Sequence, residues 1–165
     1  ALEATSSGGV TILLETTAGQ GTSLGTTFEQ LAWLAERLNT PRIGVCFDTA
    51  HAFAAGYDLR TPETYTATWQ RFDAVIGLRR LGCIHLNDSK RELGSHVDRH
   101  EQLGKGALGV EPFRLLMNDP LLRHVPMILE TPKGEEMLED VENLTLLHKL
   151  VSPATHTKAL AQGLE

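Results

Sequence analysis

Four short apolar runs, each followed by a segment with helical periodicity, constrain the fold of this chain more than any other feature. The runs are residues 10–15, 42–48, 81–87 and 125–131, and each has the length of a buried strand. A repeated strand–helix order implies a parallel sheet with helices packed on its outside. A closed (β/α)8 barrel needs eight such units. The sequence therefore predicts an α/β fold of four β/α units, half of a (β/α)8 TIM-type barrel.

The helical segments begin with capping sequences and carry apolar residues at helical spacing. Thr27 and Gln30 form a capping-box pattern for a helix over residues 27–39. Thr61 followed by proline predicts an N-cap for a helix that extends to residue 78. A shorter helix is expected near residues 110–117 and a last one over residues 137–151. The residues that mark the first and last helices are Phe28, Leu31, Ala35 and Leu38, and Met137, Val141, Leu144, His148 and Val151.

The chain is long enough for one domain with its own core, since it has 165 residues of which 41% are hydrophobic. We expect this domain to cover residues 1–151, and a polar tail over residues 152–165 to be disordered or added for expression. No run approaches the roughly 20 apolar residues of a membrane helix, and no secretory pattern opens the chain. A net charge of −6 argues against binding DNA through charge alone, but bound cations would change that balance.

The two cysteines, Cys46 and Cys83, lie in apolar runs and have no CxxC spacing. We expect both to be buried thiols that pack as small apolar side chains, without a disulfide bond. Free thiols are typical of a reducing cytoplasm, which is the predicted location.

Each of the four apolar runs ends in, or beside, a residue type that binds metal ions. These residues are Glu15, Asp48, His85 and Glu130. The carboxyl ends of parallel strands meet at one edge of a barrel, where catalytic residues are placed. Because several acids and a histidine are costly to bury together without a cation, the set predicts a metal site at this edge.

Side-chain alternation tests this assignment. If the four strand-end residues point inward, the residues two positions before them also point inward. Those residues are Leu13, Cys46, Cys83 and Ile128. All are apolar or thiol side chains, which suits a packed layer beneath the metals.

Two further clusters of ligand-type residues lie in loops. Asp48 and His51 are three residues apart, and on an extended segment their side chains point apart, so they are expected to bind different metals. Asp98 and His100 are two residues apart and can share one metal, with Arg99 pointing away. Imidazole and carboxylate ligands suit zinc, and Mn²⁺ or iron would also fit.

Other loop residues are candidates for contacts with phosphate. Glycines flank Gln20 and Lys105 and permit close approach of the backbone to a DNA groove. Lys90, Arg99 and Lys105 carry positive charge in the same loops, although solvated surface charge explains such lysines equally well. The candidate DNA-binding residues are Gln20, Lys90, Arg99 and Lys105, and His96 is a further candidate for a phosphate contact.

Five motifs, in order, resemble those of the endonuclease IV family. They are LLETTAGQG, FDTAHAFAAGYDLRTP, HLNDSK, VDRH and ILETPK, and the resemblance extends from residue 10 to about residue 151. It implies a (β/α)8 barrel with three zinc ions at its carboxyl edge. It also implies hydrolysis of DNA phosphodiester bonds 5′ to abasic sites in base excision repair, leaving a 3′-hydroxyl.

The resemblance assigns the ligands motif by motif. It implies that Glu15 bridges the first two zinc ions and that Glu130 also helps to activate the attacking water. Two further histidine ligands of the family precede the residue that matches Glu15 and lie upstream of this sequence. We therefore expect about two zinc ions here, and we expect the activity of the isolated chain to be impaired. The resemblance places Asp48, His85 and Glu130 at the second zinc, and His51, Asp98 and His100 at the third.

Two other functions fit parts of this pattern. A sugar isomerase or epimerase on a related barrel also uses Glu, Asp and His on one or two metals, but His51 and the Asp98–His100 pair imply a further metal. A non-catalytic half-barrel that only folds, binds metal or associates is the second alternative. The expected partners are double-stranded DNA with abasic sites, together with a second copy or the missing N-terminal half, and no membrane.

Overall fold

The computed structural model describes residues 9–153. Its elements follow the predicted strand–helix order. In chain order they are β1 (Ile12–Glu15), α1 (Phe28–Leu38), β2 (Ile43–Asp48), α2 (Thr49–Ala54), α3 (Pro62–Val75), a 3₁₀ turn (Leu78–Arg80), β3 (Leu81–His85), β4 (Asp88–Ser89), β5 (His100–Glu101), α4 (Glu111–Asn118), β6 (Met127–Ile128) and α5 (Leu138–Leu150). The predicted tail lies largely outside the described residues.

The central sheet has four parallel strands in the order β1-β2-β3-β6. The short strands β4 and β5 form a separate antiparallel pair in the loops beyond β3. Parallel strands place all their carboxyl ends on one edge, so the functional residues predicted there are brought to the same side of the molecule. β6 is shorter than predicted, and Glu130 lies two residues beyond its end.

The helix ends follow the capping predictions. Thr27 accepts a hydrogen bond from the Gln30 amide, and the reciprocal bond from the Thr27 amide to the Gln30 side chain completes the capping box. Thr61 caps α3 in the same way. This helix ends at Val75, earlier than predicted, because Gly77 adopts a left-handed φ of 89° that a helix cannot continue through.

The hydrophobic core lies between the outer face of the sheet and the helices. Phe47 of β2 contacts the rings of Phe28, Trp69 and Phe72, and these rings are almost completely buried. Full burial of one such side chain contributes roughly 1.5–3 kcal/mol, so this aromatic group is a large part of what holds α1 and α3 on the sheet. Within the described residues, no helix is long and apolar enough to span a membrane.

The inner face of the sheet is only partly covered. Cys46 and Cys83 are 3% and 6% exposed, as predicted, but Ile128 is 50% exposed. In the described part of the chain the sheet ends at β6, so no neighbouring strand covers Ile128. In the predicted inner layer, Cys46 and Cys83 are therefore packed as expected, whereas Ile128 at the edge of the sheet is exposed.

The last helix also differs from its prediction. Met137, Val141 and Leu144 are 56%, 61% and 49% exposed, whereas Asn143 and Leu147 face the core. No described residue buries these exposed apolar side chains of α5. Leu38 at the end of α1 is likewise exposed.

Candidate metal centre

The carboxyl ends of the strands bring carboxylates and imidazoles into one cluster. His85 Nδ1 lies 3.2 Å from a carboxylate oxygen of Glu15, 3.0 Å from Glu130 and 3.8 Å from Asp48. One ligand atom from each of these four residues lies within 4.8 Å of the others. The four residues predicted from separate strand ends therefore share one site.

A second group of ligands adjoins the first. His51 Nε2 and His100 Nε2 are 3.2 Å apart, and Asp98 Oδ1 lies 3.2 Å and 3.5 Å from them. Asp48 also lies close to this group, with Oδ2 3.8 Å from His100 Nε2. Asp98 and His100 thus approach one point from the same loop, as their spacing predicted. The structure brings together all seven predicted ligands.

The relation between Asp48 and His51 differs from the prediction. The intervening segment is not extended, because Asp48 is the N-cap of α2 and its carboxylate accepts a 2.8 Å hydrogen bond from the His51 amide. A spacing of three residues in a helix places both side chains on one face. His51 Nδ1 lies 3.8 Å from Asp48 Oδ1. The premise that these side chains point apart was therefore wrong.

The hydrogen bonds of the two facing histidines determine where their lone pairs point. His51 Nδ1 lies 2.9 Å from the carbonyl oxygen of Thr16, and His100 Nδ1 lies 3.1 Å from that of Glu130. A carbonyl oxygen only accepts, so both Nδ1 atoms carry hydrogen in these bonds. In the neutral rings the Nε2 atoms then present lone pairs toward each other and toward Asp98. Histidine ligands of metals characteristically donate their other N–H to a backbone carbonyl in this way.

Sequence reasoning missed the residues that hold the strand ends together. Thr16 Oγ1 accepts a 2.8 Å bond from the Asp48 amide, and Thr49 Oγ1 accepts a 2.9 Å bond from the Asn87 amide. The Asn87 side chain donates to Asp48 Oδ2 at 2.6 Å and accepts from the Glu130 amide at 2.9 Å. Asn87 thereby connects β2, β3 and the segment after β6. The sequence signal for these residues was a polar side chain one or two positions after a predicted ligand.

The ionisation of the cluster reflects burial and close opposite charges. Burial opposes ionisation of Glu15, but hydrogen bonds and charges from His51 and His85 lower its pKa below the usual value. Burial also disfavours the charged form of His51, yet Glu15, Asp48 and Asp98 raise its pKa to about 9. Complete burial raises the pKa of Asp48, which a bound cation would counteract.

The donor set fits a divalent cation. Among the described residues, no lysine or arginine forms an ion pair with the carboxylates of this cluster. Three imidazoles and four carboxylates are common ligands of zinc, and carboxylates also suit Mn²⁺. His51 Nε2, His100 Nε2 and Asp98 Oδ1 lie 3.2–3.5 Å from one another, an arrangement in which a cation can replace the proton that His51 otherwise carries. The residues present therefore fit metal binding.

Of the candidate DNA-contact residues, Gln20 and Arg99 contact the Asp98 backbone, whereas Lys90 and Lys105 pair with glutamates outside the cluster. The Gln20 side-chain oxygen accepts a 3.2 Å bond from the Asp98 amide, so Gln20 supports the ligand loop. Lys90 and Lys105 are exposed and lie 3.8 Å and 3.4 Å from carboxylates of Glu101 and Glu142. Arg99 is exposed and donates to the carbonyl of Asp98.

His96 lies in the loop after β4, beside the first motif. Its φ of 55° lies in the left-handed region, and Nδ1 lies 3.0 Å from the carbonyl oxygen of Ala18. A Cβ at Gly19 would approach His96 Nδ1 to 2.8 Å, so glycine permits this close contact between the two loops. The contact gives His96 a structural role in addition to the predicted phosphate contact.

Comparison with known proteins gives the same family as the motifs. Residues 1–147 match the family described as xylose isomerase-like TIM barrel. The chain is 60% identical over 146 residues to a probable endonuclease 4 of Chloroflexus aggregans, covering 87% of this chain and 51% of that protein. It is 59% identical over 145 residues to a probable endonuclease 4 of Geobacter sulfurreducens, covering 87% and 49%.

A solved structure has the same fold. The crystal structure of endonuclease IV from Thermus thermophilus is similar with a TM-score of 0.73 and 42% identity, over 84% of this chain and 48% of that one. The chain thus spans about half the length of the relatives that it matches. Its four parallel strands and outer helices confirm the predicted partial barrel. The chain belongs to the xylose isomerase-like TIM barrel family, and its predicted resemblance to endonuclease IV is confirmed.

Proposed function

We propose that this chain is the C-terminal half of a zinc-dependent endonuclease that hydrolyses DNA phosphodiester bonds 5′ to abasic sites and leaves a 3′-hydroxyl. The observation that carries this proposal is the convergence of seven ligand-type side chains at one sheet edge. The names of the relatives support the nuclease class. A DNA substrate and free thiols are compatible with the cytoplasmic location predicted from the sequence.

The proposal assigns the ligands to two complete sites and one incomplete site. Glu15 belongs to the second site and is also the only ligand here for the first. About two zinc ions are expected per chain, and Mn²⁺ is an alternative. When bound, divalent zinc lowers the pKa of water and neutralises charge on phosphoryl oxygens. The ligands are Glu15, Asp48, His85 and Glu130 at one site and His51, Asp98 and His100 at the other.

Glu130 is the proposed catalytic residue. Its side chain is 44% exposed, so its carboxylate can reach both solvent and substrate. Its backbone is held on two sides, because its amide donates to Asn87 and its carbonyl faces His100 Nδ1. A carboxylate fixed beside the phosphate can accept a proton from the attacking water. His85 lies 3.0 Å from the carboxylate and orients it.

The proposed DNA contacts are Gln20, Lys90, Arg99 and Lys105. The ion pairs of Lys90 and Lys105 with neighbouring glutamates are exposed, and such pairs contribute little to stability. Both lysines can therefore turn to a phosphate at small cost. Since the chain carries a net charge of −6, local positive side chains and bound cations must offset the repulsion of DNA.

The open surfaces of the half-barrel support the proposal that a partner completes the barrel. A cavity of about 520 Å³ lies between β6 and α5, lined by apolar residues that include Met127, Leu129 and Leu144. Within the described residues, the outer edges of β1 and β6 pair with no further strand, so they offer backbone groups to another strand. The proposed partner is either a second copy or the missing N-terminal half. A second copy supplies no further histidine ligand for the first site.

The test is cleavage of a DNA duplex that contains one abasic site. With zinc and the separately produced upstream half, the chain is expected to cut 5′ to the lesion, whereas alone it should be nearly inactive. Glu130→Gln should lower the rate by about 10²–10⁴-fold, and His148→Ala, on α5 away from the cluster, should not. Turnover of ketose sugars instead of DNA would support an isomerase, and inactivity in both assays would support a non-catalytic half-barrel.

A further inference from the structure

A pair of thiols lies in the layer directly beneath the carboxylate cluster. Cys46 and Cys83 are opposed residues in the parallel pairing of β2 and β3. Both are free thiols, and both are almost completely buried. They lie far apart in the chain and have no metal-type spacing, so only the sheet register makes them neighbours.

A third ligand completes this layer. The sulfur atoms of Cys46 and Cys83 and one ring nitrogen of His85 all lie within 4.8 Å of one another. Around a tetrahedral zinc with Zn–S bonds of about 2.3 Å, ligand atoms are separated by roughly 3.8 Å. Small side-chain rotations therefore bring the three atoms to the ligand separations of a tetrahedral metal site.

We propose that Cys46, Cys83 and His85 form a binding site for a thiophilic divalent cation such as Cd²⁺, distinct from the carboxylate centre above it. Thiolate ligands select soft cations, whereas carboxylates favour hard ones. Binding exchanges protons for metal, because each thiol releases one proton to solvent and the two thiolates neutralise the dication.

His85 is common to both groups, and this makes the two sites compete. In the carboxylate cluster, His85 Nδ1 faces Glu15 and Glu130 at 3.2 Å and 3.0 Å. A cation held by the two thiols draws the same imidazole toward the sheet. Occupation of the thiol site should therefore weaken cation binding by the cluster that His85 completes.

The alternative is that the thiols only fill space. Buried cysteines commonly pack as small apolar side chains, and burial raises the pKa of both thiols. The carboxylate cluster already accounts for the position of His85, so the imidazole beside the sulfur atoms does not by itself separate the two interpretations. The two interpretations differ in whether the sulfur atoms bond to an added soft cation.

The test is titration of the reduced, metal-stripped chain with CdCl₂, followed by the ultraviolet sulfur-to-cadmium charge-transfer band. We expect the band to saturate near about one Cd²⁺ per chain. Cys46→Ala and Cys83→Ala should each weaken binding by at least about 10–100-fold, the range seen even for outer-shell changes. His85→Ala should weaken binding but retain the band, since both sulfur ligands remain.

His148→Ala is the matched control, because it removes an imidazole on α5, away from the ligand cluster, and leaves the thiol layer intact. Its Cd²⁺ band should be unchanged. Circular dichroism of each variant checks the fold. Absence of the band in the unaltered chain, or an equal band in both cysteine variants, would overturn the proposal. The readout does not involve DNA cleavage, so its failure and the failure of the nuclease proposal are separate results.

Discussion

Replacement of Asn87 by alanine should damage both the stability of the chain and its affinity for zinc. The side chain donates a 2.6 Å hydrogen bond to Asp48, whose carboxylate is completely buried. It also accepts a 2.9 Å bond from the Glu130 amide, which is only partly buried. His85 Nδ1 and His100 Nε2 each lie 3.8 Å from the same Asp48 oxygen, which is beyond hydrogen-bonding distance, so neither replaces the Asn87 donor without a shift.

The expected loss follows from these two bonds. A bond to a charged group contributes about 1.5–3 kcal/mol, and a bond between neutral groups about 0.5–1.5 kcal/mol. Asn87→Ala should therefore lower the free energy of unfolding of the metal-free chain by about 2–4.5 kcal/mol. Because a small domain has only about 5–15 kcal/mol in total, this change is a large fraction of its stability.

The assay is urea unfolding of the metal-stripped protein together with zinc titration of the folded protein. Zinc affinity should fall by about 10–100-fold, as when groups that orient metal ligands are removed. Asn118→Ala is the matched control, since the Asn118 side chain also forms hydrogen bonds, including those to the backbone of Leu150 and Ser152, but lies away from the cluster. If both variants lost equal stability and neither changed zinc affinity, the orienting role of Asn87 would be refuted.

Zinc content, acid stability and association provide three more tests. Elemental analysis after dialysis should find about two zinc ions per chain. His100→Ala should lose one of these ions, and His148→Ala should lose none. Three tightly held ions per chain would contradict the ligand assignment. The hydrogen bond from Arg60 lowers the pKa of Asp58 below its ordinary value of 3.8. The Asp58–Arg60 pair therefore stabilises the fold above that pH, and this stabilisation is lost as the pH falls through the lower pKa of the folded chain. Acid unfolding of Asp58→Asn should lack this pH-dependent loss of stability. Sedimentation should show that the isolated chain associates through its open edges, and a compact monomer that cuts abasic DNA at full rate would refute the half-barrel argument.

Much of the fold can be predicted from local sequence. The apolar runs predict the strands because a parallel strand buried on both faces must be apolar. The capping residues Thr27 and Thr61 predict two helix starts because their side chains satisfy the free amides of the first turn. Ligand residues at the ends of those strands could be identified together, since the carboxyl ends of parallel strands share one edge.

What the sequence could not decide depends on contacts between distant residues. α2 was missed because its start is marked by Asp48, which the strand pattern alone interprets as a strand-end ligand. The bridging role of Asn87 and the opposition of Cys46 and Cys83 depend on strand register, which local periodicity does not encode. The tautomers of His51 and His100 depend on carbonyl groups from other segments.

The sequence by itself thus determined the order of the elements and the residue types at the sheet edge, because both follow from local hydrophobicity and backbone preference. Only the tertiary structure decided which ligands face each other, which apolar surfaces of α5 and β6 remain open, and which polar side chains hold the cluster. These features arise when segments dozens of residues apart are brought within hydrogen-bonding distance. The energy of those contacts depends on how deeply the polar groups are buried, and no single segment can bury them by itself.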